Sequence, residues 1–194
     1  MKAPGVSEIT DLTIVPWGNA KLEPSGAVQC QHGANECIAN TIECCGIALS
    51  NSTDQWFSFL RGFEAAYEPS WRSLLGGAKK MEAAAATVAG STALDADALK
   101  TCYTGPQGKK LSMQAYQDTK GLQPPHQYTP WVTVDGTPGD MDKWNDDTLL
   151  KKICAAYTGT KPQGCSEAYL ASLKSVPLLS DDARYGLRFD MNTE

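Results

Sequence analysis

Several absences narrow the reading of this 194-residue chain before any motif is considered. No stretch approaches the roughly 18 consecutive apolar residues that a membrane-spanning helix needs. No run of Lys and Arg occurs, the net charge is −5 and the pI is about 5.1, so the basic face that phosphate binding requires is missing and a nucleic-acid partner is excluded. The opening MKAPGVSEIT has no apolar core segment, so the chain as written carries no secretory signal. Internal repeats are absent. Histidine is scarce, with two residues, and no two cysteines are spaced C-x-x-C. What is present is ordinary for one globular domain with a real core: 42% hydrophobic and 20% charged residues.

Cysteine is the exception. Seven of them, at 30, 37, 44, 45, 102, 154 and 165, are many for a cytosolic protein of this size, and disulfides in an oxidising compartment explain the count more simply than seven free thiols. The triplet Asn51-Ser52-Thr53 is an acceptor sequon for N-glycosylation and points the same way. A cytosolic protein with seven free thiols is the competing reading, and a thiol count under denaturation separates the two.

Along the chain, EITDLTIV (Glu8 to Val15) reads as a strand that becomes buried toward its end, stopped by Pro16-Trp17-Gly18-Asn19, with a loop running on through Pro24, Ser25 and Gly26. Asn40 to Leu49 reads as a short helix. Ser52, Thr53 and Asp54 are N-cap residues for a helix in which Trp56, Phe57, Leu60, Phe63, Ala66 and Tyr67 recur at helical spacing and which Pro69 ends. Trp71 to Val88, interrupted at Gly76-Gly77, Asp95 to Cys102, and Lys109 to Thr119 with Leu111, Ala115 and Tyr116 inward, continue the helical block. Trp131 to Val134 reads as a strand, Asp135-Gly136 as a hairpin turn before a short partner strand, and Asp146 to Tyr157 as a helix capped by Asn145 or Asp146, with Leu149, Leu150, Ile153 and Tyr157 on one face. Strands and helices in that order make an α/β protein.

CQHGANECIAN (Cys30 to Asn40) concentrates the chemistry. A zinc site would pair ligands as C-x-x-C or slightly wider and need a second pair downstream; here the spacing is C-x6-C, and the other histidine, His126, stands far away. A Cys–His catalytic pair would need a thiolate beside an imidazole, and Cys30 and His32 are close in sequence. The simpler reading is structural, with two cysteines closing a loop that the histidine orders by hydrogen bonds.

The stretch resembles the signature of the gamma-interferon-inducible lysosomal thiol reductase family, C-Q-H-G-x-x-E-C-x-x-N with a cysteine soon after. Cys30, Gln31, His32, Gly33, Glu36, Cys37 and Asn40 fill every fixed position, and Cys45 matches the following cysteine. The resemblance extends to DLTIVPWGNA (11–20) and LQPPHQYTPWVTVDG (122–136), and covers about Ile9 to Cys165. It implies a thioredoxin-like fold over 1–177 with a helical insertion about 42–102, followed by a tail at 178–194. It implies a cis Thr129-Pro130 bond in a loop that faces the redox cysteines and the substrate backbone. It also implies reduction of protein disulfides in an acidic lysosomal or secreted setting, without cofactor or metal, and pairing of Cys30–Cys37, Cys45–Cys102 and Cys154–Cys165. Cys44 is then the odd one out, expected to be a buried small apolar residue.

The family's redox motif is a C-x-x-C at the start of a first helix, where the helix N-terminus lowers the thiol pKa. This chain holds none, so no catalytic cysteine is assigned, and the Cys30 loop is a family marker that is not the nucleophile. Two readings follow. Either the chain is an incomplete member starting at an internal methionine, which explains the missing motif and the missing signal together, or it is a complete, non-catalytic secreted binding module.

In thioredoxin-like folds the first strand lies between the second strand and the strand after the cis-proline. The resemblance leaves that slot empty here, and unpaired buried backbone groups cost about 1–3 kcal/mol each. The tail offers a filler: Tyr185, Leu187, Phe189 and Met191 alternate with Gly186, Arg188, Asp190 and Asn192. One reading pairs Tyr185–Met191 with Ile9–Val15; the other makes the tail an edge strand or a loosely packed surface segment.

Overall fold

The computed structural model describes residues 3–71, 77–139, 146–173 and 186–191. It is mostly helical with two small sheets, an α/β arrangement, and divides into two compact units: residues 16–120, and residues 1–15 with 121–194.

The first unit holds a two-stranded ribbon, β2 (Lys21–Leu22) with β3 (Val28–Gln29), and five helices among the described residues: α1 (Ala34–Leu49), α2 (Thr53–Trp71), α3 (Gly77–Ser91), α4 (Ala96–Thr104) and α5 (Pro106–Lys120). The ribbon lies where the sequence suggests plain loop. Helix α1 begins at Ala34, not Asn40, because Gly33, at φ 93, turns the chain at its N-cap and the helix starts inside the cysteine loop. Helix α2 runs past Pro69 to Trp71: a proline in the last turn forfeits one hydrogen bond without stopping the helix. Its buried face is Trp56, Phe59, Leu60, Phe63 and Tyr67; Phe57 is half-buried and Ala66 exposed, so the stripe is offset from the one read from periodicity. The rings of Phe59, Phe63 and Tyr67 stack in series, with centroids 5.8 and 4.3 Å apart. α1 meets this stack closely, since a Cβ on Gly46 would overlap the Phe59 ring. Asp95 caps α4 through bonds of 2.9 Å from the Asp97 and Ala98 amides. Gln55 Nε2 donates to the Thr92 and Ala93 carbonyls, tying the start of α2 to the end of α3.

The second unit is built on a four-stranded sheet. A 3₁₀ turn (Ser7–Ile9) leads into β1 (Thr10–Val15), and β4 (Trp131–Val134), β5 (Thr137–Pro138) and β6 (Gly186–Met191) complete it in the order β1-β6-β4-β5. β1 is buried at its start, at Thr10, and then alternates, with Asp11 and Thr13 exposed. β4 is buried throughout and turns into β5 at Asp135-Gly136, both at positive φ (47 and 72), as a type I′ hairpin requires. Helix α6 (Asp146–Ala156) lays Leu149, Leu150 and Ile153 into a core with Val6, Ile9, Val132 and Val134, and Lys152 reaches the Pro138 carbonyl. Each fully buried aliphatic side chain of this kind contributes about 1.5–3 kcal/mol. The short helix α7 (Glu167–Ser172), not foreseen from the sequence, is capped by Ser166.

The C-terminal strand takes the interior position. β6 pairs antiparallel with β1, from Thr10↔Met191 to Val15↔Gly186, and parallel with β4, from Trp131↔Gly186 to Val134↔Phe189. Both of its backbone edges are therefore used, and it is neither an edge strand nor a loose surface segment. Gly76, Asn145, Tyr185 and Asn192 lie outside the described residues.

Candidate functional site

The cysteine loop is assembled by short-range bonds. The Cys30 carbonyl accepts from the Gly33 amide at 3.2 Å, and the Gly33 carbonyl accepts from the Glu36 amide at 3.2 Å. Glu36, almost wholly buried, sends its carboxylate back over the helix start. There Oε2 accepts from the His32 backbone N–H at 2.6 Å and lies 3.3 Å from His32 Nδ1. This is a variant of the capping box, in which an acid in the first helical turn satisfies a donor preceding the helix and meets the positive end of the helix dipole. The buried glutamate orders the loop together with the histidine, through its backbone N–H and its ring.

The disulfide Cys30–Cys37 closes the loop, with Cα atoms 5.6 Å apart. Gln31 Oε1 accepts from Asn19 Nδ2 at 2.8 Å, and Asn40 Nδ2 donates to the Trp17 carbonyl at 3.3 Å. Trp17 in turn donates through Nε1 to the Ala20 carbonyl and packs on Tyr116, ring centroids 5.4 Å apart. The Pro16–Ala20 turn and the Cys30–Asn40 loop, separate in sequence, are one structure. Asn40 Oδ1 is buried without a hydrogen-bond partner among the described residues.

Behind the loop, Cys45–Cys102 joins α1 to α4 with both residues fully buried. Cys44 is the free cysteine among the described residues, and it too is buried. Burial first, and the neighbouring Glu43 carboxylate second, push its thiol up to about 12, so it stays protonated at physiological pH. The fully buried Glu43 accepts from the Tyr67 hydroxyl at 3.3 Å, and that hydroxyl lies 2.9 Å from Glu64 Oε1. Sequence reasoning missed this acid, because a glutamate within a helix reads as solvated and its Tyr67 partner stands 24 residues away. No group of three or more His, Cys, Asp and Glu residues with metal-binding geometry occurs among the described residues. Asn51 is exposed just ahead of α2, where Ser52 accepts from the Gln55 amide.

In the other unit, Thr129-Pro130 is cis, as is Gln123-Pro124. Pro130 is buried at the entry to β4, and Thr129 is half-buried. Tyr128 packs tilted against the buried Trp131, ring centroids 5.0 Å apart, and donates its hydroxyl to the Gly139 carbonyl, holding the loop to the hairpin. His126 is half-buried, and desolvation lowers its pKa below the usual value. Cys154–Cys165 bridges the end of α6 to the 3₁₀ turn before α7.

These features define a class: a disulfide-stapled α/β protein with a helical unit headed by a C-Q-H-G loop. Residues 1–74 match the family model "Gamma interferon inducible lysosomal thiol reductase (GILT)". Over 171 residues the chain is 34% identical to the "Gamma-interferon-responsive lysosomal thiol protein" of Arabidopsis thaliana, covering 87% of this chain and 66% of that protein. The "Gamma-interferon-inducible lysosomal thiol reductase" of Carassius auratus is 30% identical (84% and 61% covered), and that of Mus musculus 31% (83% and 60%). The chain belongs to the GILT family, and it spans 60–66% of the length of these relatives. No described helix is long and apolar enough to cross a membrane.

Proposed function

We propose that the chain is the larger part of a thioredoxin-like disulfide reductase that acts on protein disulfides in an acidic endosomal, lysosomal or secreted setting, and that this chain is inactive by itself for want of a C-x-x-C. The observation that carries the reading is the completeness of the loop: all seven fixed positions are filled, and Gln31, Glu36 and Asn40 each engage a neighbouring residue. Support for the thioredoxin-like assignment comes from the β4–β5 hairpin followed by α6. In this reading Thr129 and Pro130 form the substrate-facing loop, residues 1–177 are the domain with its insertion about 42–102, residues 178–194 are a tail that lends β6 to the sheet, and Asn51 carries a glycan.

The test is insulin reduction at a pH near 5. The chain alone gives no turnover; joined behind a segment that supplies a C-x-x-C at the start of a helix, it turns over. Turnover by the chain alone would remove the claim of inactivity, and a folded fusion without turnover would remove the reductase reading. The alternative is a non-catalytic secreted binding module on the same scaffold, and the silent fusion is the result that would select it.

A further inference from the structure

We propose that Cys30–Cys37 is a redox-labile bridge that exchanges with small monothiols of the glutathione class in the folded protein, while the other two disulfides do not. The inference does not rest on the reductase reading.

Access carries it. Disulfide exchange needs a thiolate to reach one sulfur along the S–S axis. Of the six bridged cysteines, Cys30, Cys45, Cys102, Cys154 and Cys165 are buried; Cys37 alone is partly exposed. Within the loop that this bridge closes, Gln31 to Ala34 are exposed. A thiol can therefore approach Cys37 with the fold intact, whereas the buried bridges must wait for opening of the core around them. A partly exposed Cys37 admits a small thiol more readily than a folded protein surface, so the exchange is compatible with a chain that does not turn over insulin.

The chemistry balances with a monothiol as reductant. Its thiolate attacks Cys37 Sγ, the Cys30–Cys37 bond breaks, and Cys30 leaves as a thiolate that takes a proton from solvent. A second thiolate attacks the outer sulfur of the mixed disulfide, releasing the external disulfide and Cys37 as thiolate. Two electrons pass from two thiols to the protein bridge. Cys37 is the fourth residue of α1, where the helix dipole favours the departing anion, and its sulfur lies 3.7 Å from the Val28 carbonyl, which accepts the S–H once the thiolate is protonated. Loss of the bridge leaves the loop held by the Asn40–Trp17 and Gln31–Asn19 hydrogen bonds and by the Glu36 cap.

The full chain is titrated with reduced glutathione under native conditions, quenched with iodoacetamide and mapped by mass spectrometry. Two added carbamidomethyl groups on Cys30 and Cys37 are expected while Cys45–Cys102 and Cys154–Cys165 remain closed and the circular dichroism spectrum is unchanged. The Cys30→Ser variant, treated with oxidised glutathione, gains one glutathione on Cys37. Simultaneous opening of all three bridges, earlier opening of either buried bridge, or loss of native spectrum as Cys30–Cys37 opens would overturn the proposal. The wild-type map decides it even where Cys30→Ser does not fold.

Discussion

Opening Cys45–Cys102 should damage the fold far more than opening Cys30–Cys37. The two bridges differ in the chain they close, with sequence separations of 57 and 7, and in burial, with Cys45 and Cys102 at 0% and 1% exposure. Loop-closure entropy alone assigns about 4 kcal/mol to the long loop and about 2.5 kcal/mol to the short one. The buried pair adds a packing loss, since two alanines leave part of the sulfur volume empty between α1 and α4, and such a void costs about 1 kcal/mol or more. The double variant Cys45→Ala/Cys102→Ala should therefore lose about 5 kcal/mol, comparable to the whole stability of many domains. Both cysteines must go, because a lone Cys102 has Cys44 next to its former partner and could re-pair. Equilibrium unfolding in urea, with Cys30→Ser/Cys37→Ser alongside, reads the difference directly. Equal losses for the two double variants would refute the reasoning, as would a Cys45→Ala/Cys102→Ala protein with an unchanged midpoint.

Two further outcomes test the second unit. Deleting residues 183–194 removes β6 from between β1 and β4, exposing one edge of each, and should lower the melting temperature sharply; an unchanged melting curve would exclude a structural role for the tail. His126 binds its proton more weakly folded than unfolded, because burial disfavours the imidazolium. Stability should therefore fall as pH drops through and below about 6.5, the unfolded value, and thermal melts of His126→Gln between pH 7.5 and 5 should show a shallower decline than wild type. A parallel decline in both proteins would rule His126 out as a contributor.

Local chemistry settled much of this molecule in advance. The Asp135-Gly136 turn is legible because few residue pairs tolerate two positive φ values in succession, whereas Asp95, read as the first residue of a helix, is its cap. The cysteine loop was legible as a pattern of seven residues. What each of those residues touches was not: the bonds from Asn19 to Gln31 and from Asn40 to Trp17 join segments 12 and 23 residues apart, and no periodicity encodes a partner across a loop. Pro69 reads as a stop, yet α2 absorbs it, since neighbouring hydrogen bonds make one missing amide tolerable in a last turn. The alternation at 185–191 announced a strand and left open whether it pairs with residues 9–15 or lies at an edge. A strand's pattern reports its two faces, while its pairing depends on which backbone edges the rest of the chain leaves unsatisfied. Here those edges are β1 and β4, and only the tertiary structure, by bringing them to either side of β6, decided that the C-terminal segment lies inside the sheet.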